Sequence, residues 1–527
     1  EFMSRIRGGC NSSTLRVSSK RNNAIVDKID ILIPLDQKAI EHLNKRITKE
    51  TIIFSEKANF NDNFKDKCKM VEVAFSDIAK EIGNKLYSNT VAAGLISGLF
   101  SVDINIFNEF VKQGFADKLD DIINANLEAG KKGYEIGTGL LKSESIKIEV
   151  NKDCIVQNEI IINGTEAIGM GCIAGGCDFV SSYPMSPSTG VLIFLAAQSE
   201  KFDILVEQAE DEIAAINMAL GAWYAGARGM ATTSGGGFAL MGEGVSLSGM
   251  TETPVVIHIA QRPGPATGLP TRTEQGDLNL VLYSGHGEFP RIIYAPGDLQ
   301  DGFDLAYRAF NQADKFQIPV FILSDQYFVD SYYNTPAFDV SKLEVEHYIV
   351  KTEKDYKRYE LTENGLSPRG IPGYGEGLVA VDSDEHDEYG RITESMDVRS
   401  AMSDKRLKKL DLILDDLLAP VLVGPKNYKN LIIAWGSTLN VIKESLDKLG
   451  RNDTALLHFK QVYPLHPETI NYLKKAEHTI IIENNATSQF GNLIKQDTGL
   501  EIDTKILKYT GLAFTVEEVV DNLINLI

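Results

Sequence analysis

Three consecutive acids, Glu210-Asp211-Glu212, stand directly before the apolar run Ile213-Ala214-Ala215-Ile216. Acids in a first helical turn favour the helix dipole, so each has an ordinary structural use. A carboxylate that must share a proton works best when partly desolvated and its pKa is raised. The apolar neighbours Ile213, Ala214, Ala215 and Ile216 offer that environment. A helix places residues four apart on one face, so Glu212 shares its face with Ile216, and Glu210 need not. Arg262 is the natural holder of an anion, because a planar guanidinium pairs bidentately with a carboxylate. Ser186, in Tyr183-Pro184-Met185-Ser186-Pro187-Ser188-Thr189, has a hydroxyl that donates and accepts. Serine between prolines also commonly serves the turn itself. Ser234-Gly235-Gly236-Gly237-Phe238 closes a strand and opens a helix in the manner of an anion-binding turn. It has no lysine and no complete phosphate-loop pattern, so its signal is weak.

Rigid elements must hold these residues. Each proline-rich segment, 183–189 and 261–275, follows an apolar run and reads as a loop at a strand end, where an open α/β sheet forms its ligand crevice. Between them the pattern predicts a strand at 202–206, a helix at 210–227, a strand at 229–233, a helix at 238–250 and a strand at 254–259. Strands alternating with helices at this spacing mean a mostly parallel sheet. Residues 1–145 are also α/β in character, with short apolar runs at 29–35 and 51–54, a helix at 37–45 and a small-residue helix at 88–98 that suits close helix approach. Residues 120–160 read as a helix and a connection. From about 350 to 405 the pattern weakens into glycines and a dense acidic stretch, 382–388. Strands return at 430–435 and 478–483.

At 527 residues, 43% apolar and 24% charged, the chain is long enough for about three ordinary domains. A net charge of −20 argues against nucleic acid and anionic membrane as partners, which need clustered Lys and Arg. The five cysteines, Cys10, Cys68, Cys154, Cys172 and Cys177, are odd in number and scattered, the pattern of free thiols in a reducing compartment. A four-iron cluster needs four thiolates at ligand spacing, so none is expected here. Cys172 and Cys177 read as small packed residues rather than metal ligands. No apolar stretch approaches the ~20 residues of a membrane span, and a cytoplasmic location is expected.

The two proline-rich segments, with Ser4-Arg5-Ile6-Arg7-Gly8-Gly9, Tyr356-Lys357-Arg358-Tyr359 through Gly373, and Asp384-Glu385-His386, resemble the α subunit of 2-oxoacid:ferredoxin oxidoreductases in the form with an N-terminal γ domain fused to α. The family's loops read Tyr-Pro-Ile-Thr-Pro and Gln-Arg-x-Gly-Pro-Ser-Thr-Gly-Leu-Pro-Thr; this chain departs from them at Met185, Ser186 and Ala266. Gly236 stands where the family has proline, which loosens the turn.

The resemblance implies an α/β fold: a γ domain at 1–145 lacking its usual N-terminal glycine-rich part, a thiamine-diphosphate pyrimidine-type domain with an open parallel sheet at 158–345, a connecting segment at 346–410 and a transketolase C-terminal-like domain at 411–527. It further implies that γ packs against α. Glu212 matches the carboxylate that hydrogen-bonds the cofactor pyrimidine and promotes loss of the carbon 2 proton; Ser186, Pro187, Ser234 and Gly235 line the cofactor; Ser186, Arg262 and Thr271 meet the substrate. The magnesium that bridges the cofactor diphosphate is held in such enzymes by a Gly-Asp-Gly run and an Asn-Asn pair. This chain has Glu483-Asn484-Asn485 without that Gly-Asp-Gly run, so diphosphate, Mg2+ and a 4Fe-4S cluster are expected in a β subunit, in an (αβ)2 assembly that reduces ferredoxin. The expected reaction converts a 2-oxo acid, 2-oxoglutarate foremost, and coenzyme A into an acyl-CoA and CO2. Pyruvate or branched-chain substrates and a non-catalytic assembly subunit are the alternatives, and a nucleotide-dependent enzyme acting alone is disfavoured by the poor glycine loop.

Overall fold

A computed structural model describes residues 12–59, 67–143, 146–151 and 153–527. The Arg-Gly-Gly segment at 4–9 and Cys10 lie outside the described residues. The chain divides into two compact units, one containing residues 12–17 and 26–157, the other 18–25 and 158–527.

In the first unit the strands Ile31–Leu32, Ile52–Ser55 and Lys69–Glu72 form a parallel sheet in that order. The strand expected over 29–35 is cut to two residues, and Pro34, which has no N–H to donate, follows it closely. The helix expected at 37–45 divides into Gln37–His42, capped by Asp36, and a 3-10 turn Asn44–Arg46. The small-residue helix Ser88–Leu99 makes its close approach to the long helix Asp120–Lys142 of the same unit. A methyl group on Gly94 would collide with the Gly130 carbonyl, and one on Gly133 with the Val91 carbonyl. These glycines are therefore used in packing inside this unit.

In the second unit a seven-stranded sheet runs in the order Gln461–Tyr463, Ile292–Tyr294, Pro319–Asp325, Val255–Gln261, Gly229–Thr233, Phe179–Ser182, Leu205–Gln208. All neighbours are parallel except the first pair. Val255–Gln261 and Pro319–Asp325 are buried along their whole length, as strands covered on both faces must be. The strand expected at 202–206 begins later, at Leu205, because the helix Thr189–Phe202 continues through Phe202 and ends on a left-handed Asp203. The single helix expected at 238–250 is broken into Gly235–Phe238, a 3-10 turn Ala239–Met241 and Gly242–Thr251. Glycines at 235, 236, 237, 242 and 244 explain the break, since each costs about 1 kcal/mol of helix propensity.

The weak-pattern segment is not a free linker. It forms isolated bridges such as Ile349 with Arg369 and His386 with Ile392, then the helix Met396–Leu414. Buried charges tie it down: Lys405 and Lys409 pair with Glu252, and Arg369 with Asp314. Hydrophobic periodicity carries no trace of such anchors. Beyond it a five-stranded sheet has the order Val421–Val423, Thr454–Phe459, Asn430–Trp435, His478–Glu483, Thr504–Leu507, parallel except for its first strand. Among the described residues no helix is long and apolar enough to cross a membrane.

Candidate active site

The candidate residues meet at the carboxyl ends of adjacent parallel strands. Phe179–Ser182 leads into the Ser186 loop, Leu205–Gln208 into the acid triplet, Gly229–Thr233 into the glycine turn and Val255–Gln261 into Arg262. An open parallel sheet places its ligand crevice there. The fully buried His258 braces the sheet from within, its two ring nitrogens each 2.8 Å from a hydroxyl, Thr232 and Ser324.

The three acids occupy three environments. Glu210 is exposed. Asp211 is the helix N-cap, accepting from the Ala214 amide at 2.8 Å. Glu212, the first helical residue, is only 3% exposed. Burial pushes its carboxyl above the usual range, and the Asp211 charge adds to that while a backbone hydrogen bond opposes it. Its Oε1 is enclosed without a hydrogen-bond partner. Ala215 and Ile216 supply the buried surroundings; Ile213, expected to contribute, is 48% exposed and faces away.

Glu212 lies against the glycine turn. A methyl on Gly237 would strike both Glu212 Oε1 and Thr233 Oγ1. Gly237→Ala is therefore expected to destabilise by about 1–3 kcal/mol, the usual cost of overpacking, or to expel the Glu212 carboxylate. Urea denaturation reads the first, and a fall of the Glu212 carboxyl toward its ordinary pKa, followed by carboxyl-carbon NMR, reads the second; native values for both would show that the notch is not needed.

Arg262 joins the two proline-rich loops, its Nη1 donating to the Ser186 carbonyl at 2.6 Å. The group that Arg262 engages on Ser186 is its carbonyl, so the serine hydroxyl takes no part in this contact. Ser186 and Pro187 are buried, and Ser188 Oγ closes the turn on the Met185 carbonyl at 2.7 Å. Arg262 Nε and Ser234 Oγ are also enclosed without partners. Gly235 faces the Asp277 carboxylate so closely that a methyl there would collide with it. Thr271 is half-buried on the same loop. Two residues on, Thr273 Oγ1 donates to Asp325 at 3.0 Å and accepts from the Tyr327 amide at 3.1 Å.

Sequence reasoning missed Asp277, Thr233, Gly237 and Gln275. The run Glu274-Gln275-Gly276-Asp277, directly after the proline-rich segment, was the available signal. Gln275 is the loop's anchor. Its amide donates to the Asn484 carbonyl at 2.7 Å, its Oε1 accepts from the Asn484 amide at 2.9 Å, and its carbonyl accepts from Asn485 Nδ2 at 3.1 Å. Asn484 and Asn485 therefore hold the loop in place. Glu483 is buried and accepts from Trp435, Asn485, Ser488, Phe490 and Gly491.

Residues 170–405 match the family model described as pyruvate flavodoxin/ferredoxin oxidoreductase, thiamine diphosphate-binding, and residues 1–136 that of pyruvate ferredoxin/flavodoxin oxidoreductase. The 2-oxoacid:ferredoxin oxidoreductase subunit α of a Sulfolobus species is 31% identical, over 100% of this chain and 91% of the relative. The chain belongs to this family of α subunits. It is thus a subunit of an oxidoreductase and carries the family's thiamine diphosphate-binding domain. The 2-oxoglutarate synthase subunit KorA of Archaeoglobus fulgidus is 31% identical over 64% of this chain and 90% of its own length. Among solved structures, the 2-oxoglutarate:ferredoxin oxidoreductase of Magnetococcus marinus, with 2-oxoglutarate, coenzyme A and succinyl-CoA bound, superposes with a TM-score of 0.89 at 30% identity, covering 96% of this chain and 90% of that one. The parallel sheets described above are those of a family member.

Proposed function

We propose that this chain supplies the pyrimidine side of a thiamine diphosphate site shared with a β subunit, and that the assembly oxidises 2-oxoglutarate with coenzyme A to succinyl-CoA and CO2, passing two electrons to ferredoxin. The observation that carries this reading is the enclosed, unpartnered Oε1 of Glu212 beside the side-chain-free notch at Gly237. Such a carboxylate fits a ring nitrogen that shares its proton, because burial has already raised its affinity for one. When bound, thiamine diphosphate supplies the carbon nucleophile that attacks the 2-oxo group. Glu212 holds the proton at the pyrimidine nitrogen, and Ser234 and Gly235 border the same turn, with Ser186 and Pro187 on the facing loop. Arg262, anchored by Ser186, presents its guanidinium to the substrate carboxylate, with Thr271 on the same loop.

The remaining parts are assigned to the β subunit: the diphosphate, its Mg2+ and the 4Fe-4S cluster, in an (αβ)2 complex. The preference for 2-oxoglutarate rests on the KorA relatives and the Magnetococcus enzyme. Assaying the co-purified complex with 2-oxoglutarate, pyruvate and two branched-chain 2-oxo acids against a viologen dye tests it; a higher kcat/KM for pyruvate would overturn it. Arg262→Lys keeps the charge but loses the fork. A charged bidentate contact is worth roughly 1.5–3 kcal/mol, so KM for every 2-oxo acid should rise about 10- to 100-fold. An unchanged KM would remove Arg262 from this role.

A further inference from the structure

Trp435 and Glu483 close two adjacent parallel strands of the five-stranded sheet, Asn430–Trp435 and His478–Glu483, and Asn484 follows directly. An open parallel sheet commonly offers this end to a ligand. Here it receives residues 275–279 of the chain itself. Two glutamine side chains make the contact from opposite sides. Gln275, only 1% exposed, accepts from the Asn484 amide at 2.9 Å and donates to the Trp435 carbonyl at 2.8 Å. Gln489, which opens the helix Gln489–Thr498, donates to the Gly276 carbonyl at 2.7 Å and accepts from the Asn279 amide at 2.9 Å. A primary amide carries both a donor and an acceptor, so each side chain engages two backbone groups across the contact at once. Glu483 stiffens the arrangement from behind, accepting from Asn485 Nδ2 at 2.7 Å and from the Phe490 and Gly491 amides at 3.1 and 3.0 Å, which fixes the start of the Gln489 helix.

The two limbs of the proline-rich loop differ in what holds them. The incoming limb is fixed by the main sheet: Arg262 directly follows the buried strand Val255–Gln261 and is tied to the Ser186 carbonyl. The apex, 264–269, is exposed. The returning limb carries Thr271 and belongs to no strand. Inside the loop the Leu269 amide donates to the Pro263 carbonyl at 3.0 Å and the Arg272 amide to the Leu269 carbonyl at 3.1 Å. Beyond Thr271 the C-terminal part of the chain takes over, with the Thr273 amide on the Gly511 carbonyl at 3.1 Å and then the two glutamines. We infer that Gln275 and Gln489 are positioning residues: through them the five-stranded sheet sets where the Thr271 limb stands relative to Arg262, and so how tightly the site takes up a 2-oxo acid. This inference rests on the reading of Arg262 and Thr271 as substrate-side residues. None of the glutamine bonds reaches Glu212, so the proton chemistry at the cofactor is independent of them.

The test is made on the assembled enzyme. Methionine has the length of glutamine without its donor or acceptor, so Gln275→Met and Gln489→Met cut the side-chain bonds with little change of volume. Gln275 is buried, and its replacement leaves the Asn484 amide and the Trp435 carbonyl unpaired; Gln489 is half-buried, so its variant opens the same contact at lower cost to folding. In both, hydrogen exchange of the Leu269, Arg272 and Thr273 amides should quicken about tenfold or more. KM for 2-oxoglutarate and for pyruvate should rise about 3- to 10-fold, the usual net worth of one neutral hydrogen bond. Carbon 2 proton exchange without a 2-oxo acid should stay native. Ile480→Val trims the core of the same sheet and should change neither loop exchange nor KM. Native exchange of the loop amides in both glutamine variants would show that the limb stands without this contact, and faster exchange with native KM would show that its position does not serve the substrate; either ends the inference. Equal changes in Ile480→Val end it too, because stability alone would then account for them. Arg262→Lys keeps the two readings apart: a raised KM there preserves the role of Arg262 even where the glutamine variants leave KM native, and a native KM removes that role and the inference together.

Discussion

Glu212→Gln in the assembled enzyme is expected to slow exchange of the thiamine carbon 2 proton by about 100- to 10,000-fold, the usual contribution of a general acid–base group. Glutamine keeps the shape and can still hydrogen-bond, but it cannot share a proton. Proton NMR in deuterated water times the exchange directly. The neighbouring acids serve as internal controls because their environments differ. Glu210 is exposed, and Asp211 acts through its cap on Ala214, which asparagine performs equally well. If exchange stayed native in Glu212→Gln and vanished in Asp211→Asn, the assignment would be wrong by one residue. Stability should move the other way. A carboxyl whose folded pKa is raised destabilises the fold as pH rises through that value, because the charged form is what burial disfavours. Glu212→Gln should therefore melt no lower than wild type at neutral pH.

The largest effect on stability is expected at Glu252, which precedes the strand Val255–Gln261 at the end opposite Arg262. It is 1% exposed and pairs with Lys405 at 2.6 Å and with Lys409, while Arg358 donates to its carbonyl at 2.7 Å. Burial alone would raise its carboxyl, but the charges of Lys409, Lys405 and Arg358 outweigh that and hold it well below the usual range. Glu252→Gln leaves two buried ammonium groups without their anion and should cost about 3–5 kcal/mol in urea denaturation; a loss under about 1 kcal/mol would place this cluster with ordinary surface pairs. Two lysines share one carboxylate, so Lys409 is left under-compensated, and burial pushes its pKa down to about 7. Between pH 7 and the unfolded lysine value the unfolded state binds more protons, so stability should rise with pH across that window. Lys409→Met should flatten this rise, as measurements at pH 7 and pH 9 would show.

This cluster also marks where sequence reading stops. Apolar runs located Asn430–Trp435 and His478–Glu483, because a strand buried along nearly its whole length is mostly apolar. The segment from 346 to 410 was opaque because arginines and lysines hold it, and a charge run reads as solvated until its counter-ion is seen. Glu252 and Lys409 are separated by more than a hundred residues and carry no common periodicity.

In the candidate site the division is equally physical. Local chemistry determined that Glu212 begins a helix, that Ser186 and Arg262 sit on loops at strand ends, and that the glycine turn opens a helix, since capping, proline and glycine act over a few residues. Sheet order decided the rest. Placing Gly229–Thr233 between Val255–Gln261 and Phe179–Ser182 brings the glycine turn against Glu212 on one side and Asp277 on the other and joins Arg262 to the Ser186 carbonyl, while Asn484 and Asn485, at the end of His478–Glu483 in the five-stranded sheet, clamp Gln275. These contacts are long-range, and their partners are chosen by which strands become neighbours, a choice that apolar pattern alone leaves open.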